Sequence, residues 1–202
     1  MKALHNTQRL LMLLAATTLS ACSMFSPVKS NYTEYVINAM PDSAGKGYGR
    51  GTLYIAPITA AALYDTDQMA YTNHLYQVEY FAKNKWAEPP TKMLQPLVLQ
   101  TLQKTHYFHA VTSATTAVNT DYVLNIELLE LRQIFTTCSS YVIVKVNAEM
   151  INTSTGRIIA SKKITTQTPA HYPTPFSGVI AANQATAAML AKLAAFTRSA
   201  AR

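Results

Sequence analysis

The sequence predicts an α+β domain in which an antiparallel sheet carries two main helices packed on one face. Three observations predict it. Val142, Val144, Val146, Ala148 and Met150 alternate with Lys145, Asn147 and Glu149, the period of a strand with one dry and one wet face. Leu94, Leu97, Val98 and Leu102 recur at helical spacing, as do Val179, Ala182, Met189, Leu190, Leu193 and Phe196. The 202 residues are 49% hydrophobic and 13% charged, enough apolar surface for one core and too few charges for a coiled coil or a disordered tail. Neutral groups, including 25 Thr and 12 Tyr, must then supply the wet surface.

The chain opens on an export signal. Lys2 and Arg9 make a positive front, Leu10–Ala16 is an apolar run, and small residues lead to Leu19-Ser20-Ala21-Cys22. The run is too short for a permanent membrane span, which takes about 20 apolar residues. Residues 1–21 read as signal peptide, 22–31 as a lipidated tether and 32–202 as the folded domain. Leu19-Ser20-Ala21-Cys22 resembles the lipobox of bacterial lipoproteins. That resemblance implies cleavage between Ala21 and Cys22, diacylglycerol on the Cys22 thiol and an acyl chain such as palmitate on the new amino end. Ser23 after the cysteine implies sorting to the outer membrane, on its periplasmic face.

Within the domain, Thr33–Ile37 reads as a short strand. Pro41–Gly51 holds four of the six glycines and reads as a flexible loop. It lacks the spacing of a phosphate-binding loop and leads into a strand, Leu53–Ile58, not a helix. Gln68–Thr72 and Leu75–Tyr80 read as a hairpin joined at Asn73-His74. A helix is expected from about Thr91, where Pro96 would still fall near its first turn. Tyr107–Val111 is expected as a return strand, followed by long strands over Tyr122–Leu128, Tyr141–Ile151 and Arg157–Thr168. Thr174-Pro175 provides a cap and a first-turn proline for the last helix.

Chemistry is sparse. No Ser-His-Asp order and no Gly-x-Ser-x-Gly occurs, and no catalytic residue is assigned. His106 and His109 have no acidic or thiol neighbour to complete a metal shell, and Asp65-Thr66-Asp67 lacks the rest of a calcium loop. No metal is expected. Net charge is +7, falling to +5 without Lys2 and Arg9, and no dense basic stripe suggests nucleic acid. Two cysteines exclude a disulfide scaffold, and Cys138 receives no role. Tyr71, Tyr76, Tyr80, Phe81 and Trp86 form an aromatic cluster that reads first as core and second as a site for a lipid tail or sugar.

The domain as a whole resembles the ABC-type transport auxiliary lipoproteins, which accompany Mla- and Pqi-type systems with mammalian-cell-entry (MCE) domains. The lipobox at Cys22 carries the resemblance, together with Gln68–Tyr71, Tyr76–Phe81, Trp86–Leu94, His106–Val111 and Asp121–Leu124 with Glu127. The matching motif residues are Tyr71, Tyr80, Trp86, Pro89, Pro90 and Leu94. Many relatives carry Arg where this chain has Thr72. The resemblance implies a non-enzymatic outer-membrane docking component for intermembrane lipid transport, with an inner-membrane MCE-domain protein as partner, a ring of identical copies as one assembly, and no cofactor beyond the lipid on Cys22. The alternatives are a structural or pilot lipoprotein of another envelope complex, or a periplasmic enzyme acting on lipid or glycan.

Overall fold

The computed structural model describes residues 31–49, 51–114 and 119–201. The signal peptide, Ala21, Cys22 and the tether up to residue 30 lie outside the described residues.

Among the described residues the elements run β1 (Thr33–Tyr35), β2 (Thr52–Ile55), β3 (Thr59–Ala60), a 3-10 turn (Ala62–Tyr64), β4 (Gln68–Thr72), β5 (Glu79–Trp86), α1 (Pro90–Lys104), β6 (Ala110–Thr112), β7 (Tyr122–Phe135), β8 (Ser140–Asn152), β9 (Arg157–Ala170) and α2 (Pro175–Ala200). The long strand β7 organises the sheet. One of its edges pairs antiparallel with β8, and β8 pairs with β9. Along its other edge β2, β3 and β4 follow one another, all parallel to it. β4 pairs antiparallel with β5, while β1 runs parallel to β5 and β6 parallel to β2.

The sheet is therefore mixed, and the expected all-antiparallel arrangement is corrected. Only tight hairpins force neighbours to run in opposite directions. The short strands before β7 are separated from it in sequence by α1 and its flanks, so their direction is free to match. Residue alternation within a four-residue strand carries no information about direction.

Three local expectations also change. The segment Asn73–Val78 is a connection, and the second hairpin strand starts at Glu79 and runs to Trp86. Leu75 and Tyr76 looked like strand residues because they are apolar, but both are exposed and Tyr76 takes φ 66°. The return strand is only Ala110–Thr112, because Tyr107 and Phe108 are buried in the turn that follows α1. Finally, α1 starts at Pro90, with Pro89 at its N-cap, so Pro96 lies beyond the first turn. Its missing N–H leaves the Lys92 carbonyl without the usual helical donor. Pro96 and Lys92 are both exposed, so water can serve that carbonyl.

The two helices bury the stripes read from the sequence. Leu94, Leu97, Val98 and Leu102 of α1 are buried, as are Val179, Ala182, Met189, Leu190, Leu193 and Phe196 of α2. Thr174 Oγ1 accepts from the Ser177 N–H at 3.2 Å, which fixes the start of α2. The alternating residues Val142–Met150 of β8 are buried, and Thr166 of β9 donates its hydroxyl to the Ala185 carbonyl of α2 at 2.8 Å.

The glycine-rich stretch is not a loose loop. Gly47 and Gly49 donate their N–H groups to the carbonyls of Thr105 and Tyr107 at 3.3 and 2.8 Å. A Cβ at Gly49 would lie 2.5 Å from the Tyr107 ring and 2.7 Å from its carbonyl oxygen. Arg198 near the end of α2 donates to the Ala44 carbonyl. The stretch is thus a strap across Tyr107 and the end of α2. Gly49→Ala is expected to destabilise the domain by about 1–3 kcal/mol through overpacking, read as a lower urea midpoint at unchanged slope.

Candidate functional site

The motif residues serve two different purposes. Trp86 is buried in the core and its backbone N–H donates to the Asp67 carbonyl at 2.7 Å. Pro89 accepts from the Lys92 N–H at 2.9 Å, Pro90 opens α1, and Leu94 is buried beneath it. These four fix how α1 leaves the sheet. Tyr71 and Tyr80 are half-buried. The Tyr71 hydroxyl donates to Glu79 Oε2 at 2.5 Å, and Glu79 in turn raises the pKa of that hydroxyl above its ordinary value. The Tyr71 ring stacks on Phe81 at 4.5 Å and meets Phe135 edge-on at 5.7 Å. Tyr80 donates to the Leu63 carbonyl at 3.1 Å and so ties β5 to the 3-10 turn.

The aromatic cluster read from the sequence does not close around a ligand. Trp86 is core, Tyr76 is fully exposed, and Tyr71, Tyr80 and Phe81 lie between these extremes. The crevice beside them, lined by Phe81, Trp86, Leu131, Gln133 and Gly178, has a volume of about 10 Å³. That is the scale of a single water.

A charged network on the opposite face of the sheet was not anticipated. β7 carries an irregularity between Leu128 and Glu130. Leu124, Ile126 and Leu128 face the helices before it, and Leu131 and Gln133 face them after it. The change of parity turns Glu130 and Arg132 to the other side. There Glu130 Oε1 accepts from Arg132 Nε at 2.7 Å, and Oε2 accepts from Lys145 Nζ at 2.6 Å. Arg132 Nη1 also donates to Thr72 Oγ1 at 2.7 Å. The doublet Leu128-Leu129 followed by Glu130-x-Arg132 is the sequence signal for this break in alternation.

Electrostatics fit the geometry. Burial opposes ionisation of Glu130, but the hydrogen bonds from Lys145 and Arg132 outweigh it and hold the carboxyl below its ordinary pKa. Burial raises the pKa of the neighbouring Tyr64 hydroxyl, with Arg132 opposing. Both oxygens of Glu130 are engaged and the group stays ionised, so it is poorly placed to move a proton. Further along the same face Thr59, Asn125, Glu127, Asn147 and Glu149 line an open groove of about 390 Å³.

His106 and His109 are both exposed, and among the described residues no three metal-ligating side chains converge. Asp121 accepts from the N–H and hydroxyl of Thr52 at 2.7 and 3.0 Å, which lowers its pKa and closes the entry to β7. Cys138 is exposed in the β7–β8 turn.

A model of the family described as ABC-type transport auxiliary lipoprotein component matches residues 35–194. Among solved structures, protein XCC0632 from Xanthomonas campestris superposes with TM-score 0.74 at 20% identity, covering 83% of this chain and 96% of that one. A second structure, of an uncharacterized protein, gives 0.65 at 13% identity over 82% and 98%. The hypothetical protein CT253 from Chlamydia trachomatis gives 0.51 at 6% identity over 73% and 98%. These likenesses concern the fold. No curated protein matches the chain.

Glu130→Gln is expected to cost about 2 kcal/mol, the scale of a charge-assisted hydrogen bond. Because the folded pKa of Glu130 lies below its ordinary value of 4.5, its contribution is present above about pH 4.5 and disappears as pH falls through the folded value. Urea unfolding of the wild type from pH 7 to pH 3 is expected to show this loss, with a shallower slope in the variant.

Proposed function

Since the chain belongs to the family of ABC-type transport auxiliary lipoprotein components, we propose that it is the lipid-anchored docking component of an MCE-type system that moves lipids or other hydrophobic molecules between two membranes. Cleavage after Ala21 leaves Cys22 as the mature amino terminus, carrying diacylglycerol and an acyl chain. Ser23 directs it to the periplasmic face of the outer membrane. The observation that carries this reading is Leu19-Ser20-Ala21-Cys22, ten residues before Tyr32 where the domain starts. Each buried CH₂ of the acyl chains adds about 0.8 kcal/mol, so several chains hold the domain firmly to its membrane.

The protein's part is non-enzymatic. Supporting this, its best-buried carboxylate, Glu130, is fully engaged by Arg132 and Lys145. A hydrophobic cargo crossing an aqueous gap needs a shielded route, and a tethered receptor fixes where that route ends. The partner is an MCE-domain protein held by the inner membrane, and a ring of copies of this chain is the assembly that receives it.

Affinity isolation of the lipidated chain from membranes tests the partner. An MCE-domain protein and extractable lipid are expected to co-purify. Recovery of cell-wall or secretin components in their place contradicts the transport reading. Cys22→Ala is expected to leave a folded domain in the soluble fraction and to abolish transport. A fully functional Cys22→Ala strain contradicts the anchor.

A further inference from the structure

The two ends of the sheet differ in chemistry. Tyr71 is level with Gln133, Phe135 with Ser140, and Ser140 with Ala170, so the β4–β5, β7–β8 and β9–α2 connections all turn at one end. These connections, residues 73–78, 136–139 and 171–174, contain no Asp, Glu, Lys or Arg. Instead they expose Leu75 (79%), Tyr76 (97%) and Tyr172 (70%), and the first turn of α2 adds Phe176 (60%). The Tyr71–Phe81–Phe135 cluster lies behind the β4–β5 connection, and the nearby Glu79 carboxylate is engaged by the Tyr71 hydroxyl. The opposite end also exposes Tyr48 (103%) and Ile158 (56%), but there they stand among the exposed charges of Asp121 and Arg157 and the amide and hydroxyl groups of Asn119, Thr120, Thr153 and Ser154.

Large apolar side chains gathered at one pole of a monomer mark a surface that is covered in use. Tyrosine and phenylalanine with no charge between them suit the headgroup boundary of a bilayer, where a ring is buried and a hydroxyl stays wet. The direction in which the chain enters β1 selects the same pole. β1 runs parallel to β5, and β5 runs antiparallel to β4, so the amino end of β1 points toward the β4–β5 connection. Lys85, beside Glu34, is level with Gln68. From Gln68 to Thr72 the sheet rises about 13 Å. The ten residues Cys22–Asn31 can span up to about 35 Å. Ten residues are therefore long enough for an anchor at Cys22 to lie at the level of this pole.

We propose that the pole formed by Leu75, Tyr76, Tyr172 and Phe176 is a membrane-contact surface that lies in the headgroup layer of the bilayer holding Cys22. The polar pole then faces away, toward the aqueous gap and whatever arrives across it. The proposal rests on the lipidated Cys22 of the preceding reading. The three connections carry no Lys or Arg, and His74 and His171 are their only basic side chains, so the contact is expected to depend little on anionic lipid or on salt.

Cys138 supplies the reporter. It is exposed in the β7–β8 turn at the apolar pole, and the diacylglycerol thioether on Cys22 leaves it the only thiol. The full lipidated chain, verified by intact mass, is labelled at Cys138 with a fluorophore and reconstituted into phosphatidylethanolamine–phosphatidylglycerol vesicles containing a headgroup-nitroxide lipid. The Cys138 label is expected to lose most of its emission at both low and high salt. The same label on Ser154→Cys in a Cys138→Ser background is expected to keep it. Tyr76→Ser combined with Tyr172→Ser is expected to restore the Cys138 emission while the acyl mass and the circular dichroism stay unchanged. Equal quenching at the two poles, or stronger quenching at residue 154, in a chain that carries the acyl mass overturns the orientation while leaving the anchor intact. A chain whose Cys22 carries no lipid overturns the anchor, and the orientation with it.

Discussion

β7 must satisfy both of its edges and both of its faces at once, and most of the domain follows from how it does so. On one edge it meets the long hairpin partner β8; on the other it collects three short strands that climb alongside it in its own direction. Its faces exchange roles at Leu128–Glu130. Below that point alternate residues beginning at Leu124 fill the core, and above it Leu131 and Gln133 do. A regular strand would drive either Glu130 or Leu131 to the wrong side. The irregularity lets one strand present a continuous apolar surface to the helices and still place Glu130 and Arg132 together on the polar face.

The polar face is then a fastening. Glu130 links β7 to β8 through Lys145, and Arg132 reaches Thr72 on β4. Tyr80 and Tyr64 hold the 3-10 turn over the same region. A buried ion pair contributes modestly to net stability, since desolvation offsets much of its attraction. Its effect here is to fix which strands adjoin at the point where alternation changes. On the helix side the glycine strap and Arg198 secure the other end of the chain, so both helices are held by contacts distant in sequence.

Long periodic elements were legible from residues alone. β8, the stripes of α1 and α2, and the cap at Thr174 all appear where their patterns indicate, because a long run of alternation or helical spacing has few other ways to bury itself. Strand direction was not legible, because β1, β2, β3 and β6 have four residues or fewer and their partners are distant. Leu75 and Tyr76 misled the reading of the hairpin because they are apolar but face outward. The glycine stretch misled it too, since glycine meets both the need for flexibility and the need for close approach, and only Tyr107 packed against the strap distinguishes them. The Glu130–Arg132 pair could have been found from the doubled leucine before it. Trp86 and Pro90, singled out from the sequence, fix how α1 departs from the sheet.

The proposed function joins a domain whose two poles differ in charge to a lipid anchor at its amino terminus. That combination suits a receiving component whose work is done by position. The claim is tested most directly by the intact mass of the amino-terminal peptide from the native, membrane-extracted chain. The account predicts that the peptide begins at Cys22 and carries the mass of diacylglycerol and an acyl chain. A peptide that begins at Cys22 unmodified, or at any other residue, contradicts it.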